Sequence, residues 1–172
     1  KTNEKYEQSI KYYSKILSII DKNDTLYAPT VDSRGIAYER TNQWDKAEID
    51  LLNSLKATPN DAYVINYIAY SWIEKEMNIQ KSLEMLRKAN SLKPNDGYII
   101  DSLGWALFKL KNYKEAKLYL ELAVTQKSSD PVITDHYADA LWMNDDILQA
   151  RYYWNYVLKL KKTEKKLKKE IR

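Results

Sequence analysis

The residue best equipped for chemistry in this chain is its one histidine, His136, set between Asp135 and Tyr137 in a helical phase. A lone histidine so placed is expected to be a hydrogen-bonded structural residue rather than a general base. No His-Glu-x-x-His pair, glycine-rich phosphate loop or nucleophile elbow accompanies it. The paired carboxylates Asp145-Asp146 stand where an inter-helix turn is expected, a place that favours Asp for local backbone bonds. There is no cysteine, so disulfides, thiolate metal sites and a thiol nucleophile are all excluded. The redox compartment stays open. No catalytic residue, metal ligand set or cofactor motif emerges, which points to recognition rather than catalysis.

The elements that must carry such recognition are helical. Three Gly and four Pro in 172 residues are too few for many short strands. No apolar run approaches the ~20 residues of a membrane helix, and no signal or transit segment is visible. The chain opens on Lys1 and not on Met, as expected where a leader has been removed or left out. The net charge of +4 is unevenly spread. From Lys159 to Arg172 there are eight basic and two acidic residues, a surplus of six, which leaves 4 − 6 = −2 for the rest. A mildly acidic body carries a basic tail. Nucleic acid is not the expected partner, because basic residues do not line one face of the body.

A period of 34 to 35 residues organises the chain. Small residues recur as Gly35, Ala69, Gly104 and Ala138, as Ala47, Ser82, Ala116 and Ala150, and as Ser54, Ala89, Ala123 and Val157. Each unit reads as two amphipathic helices and a turn. Leu103, Ala106, Leu107 and Leu110 recur at helical spacing, as do Tyr113, Ala116, Leu120 and Ala123. Gly104 facing the Ala116/Ala123 stripe would let the two helices approach closely. Pro59 and Pro94 end second helices.

These small-residue and proline positions resemble the tetratricopeptide repeat, in a stretch from Thr30 to Leu160. The resemblance implies an all-α fold, an α-solenoid of tandem antiparallel helix pairs wound as a right-handed superhelix. The expected units are 30–61, 62–96, 97–130 and 131–160. Residues 1–29 would be the second helix of a truncated unit (Tyr6–Ile20) plus a linker (Asp21–Pro29), and 161–172 a basic capping helix or tail. Departures are Arg34 in a usually apolar place, Ser128 for a closing Pro, and one extra residue in the Lys75–Gln80 turn. The Asp96–Trp105 and Asp135–Trp142 phrases are similar to long repeat proteins of Gram-negative bacteria. That implies the C-terminal part of a longer bacterial protein, cytoplasmic or envelope-associated.

In such a solenoid the first helices line a concave wall. Reading each unit in phase gives solvent-facing rows: Asp32, Asn66, Asp101, Asp135; then Ser33, Tyr67, Ser102, His136. One turn on come Ile36, Tyr70, Trp105, Asp139, and Glu39, Ile73, Phe108, Trp142. The groove is therefore expected to be acidic and aromatic. Asp residues about 10 Å apart in water repel by only ~0.4 kcal/mol per pair. The family's clamp for a terminal carboxylate uses Lys and Asn, and Asp in the equivalent row implies that clamp is absent. The groove suits an extended protein or peptide segment bearing Lys or Arg, with Tyr70, Trp105 and Phe108 as apolar anchors. Two plainer readings stand beside this one. Trp72, Tyr38 and Tyr119 fall on the inter-helix face and are expected to pack, a role equally open to Trp105 and Phe108. Asp101 and Asp135 could serve as helix-start residues.

The tail has a helical apolar phase through Leu160, Leu167 and Ile171. It is expected to cap the last repeat, or else to meet anionic lipid or nucleic acid. Functionally the chain reads as a non-catalytic protein-binding scaffold or adaptor. Rival readings are a regulatory or substrate-delivery subunit of an envelope enzyme such as a protease, and a self-assembling homo-oligomer.

Overall fold

The computed structural model describes residues 2–160, 163 and 165–171. They form ten helices and no strand: α1 (Thr2–Leu17), α2 (Tyr27–Arg40), α3 (Trp44–Ala57), α4 (Ala62–Glu74), α5 (Ile79–Leu92), α6 (Gly97–Lys109), α7 (Tyr113–Gln126), α8 (Pro131–Trp142), α9 (Ile147–Lys159) and α10 (Lys165–Glu170). The expected linker to Pro29 is shorter, because α2 already starts at Tyr27 and Pro29 sits in its first turn, where a proline's missing donor costs nothing. The basic tail expected over 161–172 falls outside the described residues at 161, 162, 164 and 172.

Two local devices repeat with the period. The first helices α4, α6 and α8, though not α2, begin on an aspartate whose carboxylate accepts two backbone N–H groups of the opening turn. Asp61 Oδ1 takes Tyr63 and Val64 at 2.9 and 3.2 Å, Asp96 takes Tyr98 and Ile99 at 3.0 and 3.3 Å, and Asp130 takes Val132 and Ile133 at 3.0 and 3.3 Å. Such a cap contributes about 1 kcal/mol. First helices end on a left-handed residue: Asn42 (φ 59°), Glu76 (55°), Lys111 (64°) and Asp145 (64°). The next N–H then reaches back five residues, as from Gln43 to Tyr38, Met77 to Trp72, Asn112 to Leu107 and Asp146 to Leu141. This is the Schellman closure of a helix end. It turns the chain back so that the second helix runs antiparallel to the first. The extra residue of the Lys75–Gln80 turn is absorbed by a second left-handed residue, Asn78 (φ 48°).

The chain divides into two compact units, 1–68 and 69–172. In the first, α2 packs between α1 and α3. A Cβ on Gly35 would stand 2.9 Å from Leu51 Cγ, so the absent side chain sets the α2–α3 approach. Arg34, in its usually apolar place, makes a two-pronged ion pair with Asp50 (Nε–Oδ2 2.6 Å, Nη2–Oδ1 2.9 Å) and donates to Ser14 Oγ at 3.1 Å. That geometry satisfies a buried carboxylate.

In the second unit, Leu86, Ile100, Leu103, Leu107, Leu120 and Leu141 build one core with the small residues Ala69, Ala106, Ala116, Ala123, Ala140 and Ala150. The close approach at Gly104 is to Leu120, where an added Cβ would come within 2.7 Å of Cγ. The Ala116/Ala123 stripe flanks that contact rather than making it. After α9 the chain bends at Leu160, which is extended, and Thr163 Oγ1 donates to the Val157 carbonyl at 2.5 Å. α10 follows from this bend.

Candidate functional site

In the unit 69–172, the first helices α6 and α8 and the end of α4 bring four of the expected site residues, Tyr70, Trp105, Asp135 and His136, around one open groove of about 630 Å³. Its wall is aromatic. The His136 ring stacks on Trp105 (3.9 Å between centroids, 11° between planes), and Trp105 also stacks on Phe108 (4.8 Å, 12°). Trp105 Nε1 donates to Glu74 Oε1 at 2.9 Å, and the Lys109 ammonium lies 5.1 Å from its ring centre. The indole is thus fixed by contacts on its edge and faces and is only 8% exposed. Tyr70 stands 6.4 Å from His136.

Beneath this wall, Asp101 accepts from His136 Nδ1 at 3.0 and 3.1 Å. The expectation of a solvent-facing Asp101 and His136 does not hold: they are 4% and 6% exposed. Residues 34–35 apart lie side by side on neighbouring first helices, so each helix covers part of the next one's row. Nor is Asp101 or Asp135 a cap, since Asp96 and Asp130 fill that role five residues earlier. Burial pulls the imidazole's proton affinity down. The Asp101 contact and the charges of Asp135 and Asp139 outweigh it, and the His136 pKa is raised. The pair thus favours imidazolium against carboxylate, which together carry no net charge.

Asp135 and Asp139 are the groove's two half-buried carboxylates on α8. Burial, then Asp139, then Glu170 push Asp135 up to about 7 against the pull of His136 and the Trp154 indole. Its Oδ1 is buried without a donor. Asp139 is raised too, by burial, with His136, Trp154 and Lys109 working the other way. Tyr70 is held well above the usual phenol range by burial and the charges of Glu74, Asp101 and Asp130. Two half-buried carboxylates thus stand beside the aromatic wall, one of them with an oxygen that lacks a donor.

The other expected residues lie apart from this groove. Trp142 is 45% exposed and tilts against Trp154 (5.5 Å, 43°), lining an adjoining surface. Phe108 sits behind Trp105, edge-on to Tyr113. Asp32, Asn66 and Tyr67 belong to the unit 1–68. There Asp32 is pushed up to about 6 by burial and Asp61. Tyr67 donates to Glu39 Oε2 at 3.1 Å, and Asn66 Oδ1 is buried without a donor. As expected for packing, Trp72 is 2% exposed.

Sequence reasoning missed Glu74 and Lys109, which share one repeat phase just past the Ile73/Phe108 row and would have been found by extending the rows one residue. It also missed the capping aspartates, signalled by Pro59-Asn60-Asp61 and Pro94-Asn95-Asp96. Among the described residues no group of three or more His, Cys, Asp or Glu could hold a metal ion, and no helix is long and apolar enough to cross a membrane.

Comparison with known proteins agrees with this architecture. The family model described as Tetratricopeptide repeat matches residues 32–163. A TPR repeat-containing protein of Pseudomonas aeruginosa is 27% identical over 104 residues, 60% of this chain but 18% of the relative's length. The chain therefore spans only a small part of that relative. Among solved structures, MamA from Desulfovibrio magneticus RS-1 superposes with a TM-score of 0.75 at 18% identity, covering 93% of this chain and 88% of that one. Pseudomonas aeruginosa PilF gives 0.70 at 16%, covering 97% and 82%. These likenesses show an all-α fold of the solenoid class. With most of its length matched by the family model, the chain belongs to the tetratricopeptide repeat family, whose members serve as scaffolds for protein–protein interaction.

Proposed function

We propose that this chain is a non-catalytic adaptor of bacterial type, and that its groove between α6 and α8 holds a lysine- or arginine-bearing segment of a partner protein. The observation that carries this reading is the pairing of the fixed Trp105/His136 wall with Asp135 and Asp139 in one open groove. An aliphatic stem would lie in the groove beside the aromatic wall while its ammonium approaches the Asp135 and Asp139 carboxylates. Placing a cation there favours the ionised carboxylate, so binding near neutral pH should release a proton from Asp135. Buried Asp101 holds the His136 side of the wall from beneath without lining the groove. Asp32, Asn66 and Tyr67 offer a separate polar surface on the first unit, read here as an auxiliary contact.

Capture of partners by the full chain from its own source tests this reading. Wild type is compared with Asp139→Lys, which reverses a half-buried groove charge. A protein retained by wild type and lost by the folded variant identifies the partner. Identical recoveries would place recognition away from the groove. Asp101→Lys is a poor probe, because it would bury an unpaired charge and unfold the unit rather than report on binding.

A further inference from the structure

The groove is already lined in part by the chain's own C-terminus. Leu167 of α10 lines it together with Tyr70, Trp105 and His136, and Glu170 lies on the side of Asp135 and Asp139. Ile171, one turn beyond Leu167, adjoins Trp142 and Trp154 on the neighbouring surface. The bend at Leu160 and the Thr163–Val157 bond direct the chain back to this place. The segment is amphipathic: Leu167 and Ile171 mark its apolar side, while Lys165, Lys168 and Lys169 oppose the sign of the groove. We propose that residues 165–171 are an intramolecular occupant of the groove, and that the partner displacing them presents a short amphipathic lysine-rich helix of the same design. This rests on the groove being the partner site.

Two features make the tail displaceable rather than a permanent cap. Its helix is six residues long, half or less of the ~12–15 residues below which isolated helices are marginal, so it persists only by docking. Glu170 also sets a carboxylate toward Asp135, and that like charge opposes closure. A partner helix with a basic residue at that position keeps the apolar contacts and exchanges repulsion for attraction. The tail is thus a weak internal copy of the ligand, which covers the groove's aromatic wall until the stronger ligand arrives.

A fluorescein-labelled peptide of residues 163–172 carrying Glu170→Lys is the probe, read by anisotropy on three full-length chains. In Leu167→Asp/Ile171→Asp the tail is released, and the peptide is expected to bind at least tenfold tighter than to wild type. In Glu170→Lys the tail is tightened, and the peptide should bind several-fold more weakly than to wild type. The His136 imidazole proton, the only one of its kind in the chain, should shift on release, because Leu167 lines its cavity. Equal affinities in all three chains, with binding still lost on Asp139→Lys, would overturn the tail inference and leave the groove reading standing. Peptide bound regardless of Asp139→Lys would overturn the groove reading itself. Failure of even the released chain to bind would overturn the proposed partner chemistry.

Discussion

Asp101 and His136 are each costly to bury alone, and the 3.0 Å contact between them removes most of that cost. Replacing Asp101 by Asn leaves the ring without its carboxylate and is expected to destabilise the fold by about 2 kcal/mol at pH 6 in urea unfolding. The sign of the pH dependence follows from the raised imidazole pKa. The pair's contribution is full below the unfolded value of 6.5 and is lost as pH rises through the higher folded value. Proton NMR of the single imidazole should place its midpoint above 6.5, and Asp101→Asn should lower it. Asp135 adds to the same trend. Its folded pKa of about 7 exceeds the ordinary 3.8, so its contribution is present below 3.8 and lost as pH climbs to about 7. Asp135→Asn should therefore stabilise the chain at pH 8 by about 1 kcal/mol after solvent screening, with little change near pH 4. Thermal melts at the two pH values check this, and destabilisation at pH 8 would contradict it.

At the scale of the helix, the repeat rests on three local rules that recur in phase: a small residue at the closest approach, an aspartate cap and a left-handed turn residue. Gly104→Ala would press a methyl into Leu120 and should cost about 1–3 kcal/mol. Lys111 holds φ 64° without being glycine, so Lys111→Gly should raise stability by about 0.5–1 kcal/mol. Asp96→Ala should lower it by about 1 kcal/mol. Urea midpoints for these three single variants test the helix account as a set. The small-residue series and the proline stops were readable in the sequence because they depend on spacing within a unit. The burial of Asp101 was not, because it arises where one first helix covers the next. Phase on a single helix carries no information about that neighbour. Trp105 shows the same gap: its type and phase left packing and binding open, and the structure gives it a fixed, largely covered place in the groove wall.

Across the whole molecule, the basic tail and acidic body were visible as a charge asymmetry, but their meeting was not. It depends on a bend after Lys159 that no periodicity encodes. The asymmetry has a consequence for recognition: attraction between a lysine-bearing segment and half-exposed carboxylates is screened by salt. Partner affinity should therefore fall as ionic strength rises, whereas a purely apolar interface would hold or strengthen. The measurement that reaches the central claim most directly is titration of the captured partner into the full chain while the His136 imidazole signal is followed. The account predicts that this signal moves and saturates with binding, and that Asp139→Lys weakens the same titration at least tenfold while leaving the fold intact. Tight binding that leaves the His136 signal still and is indifferent to Asp139→Lys would contradict it.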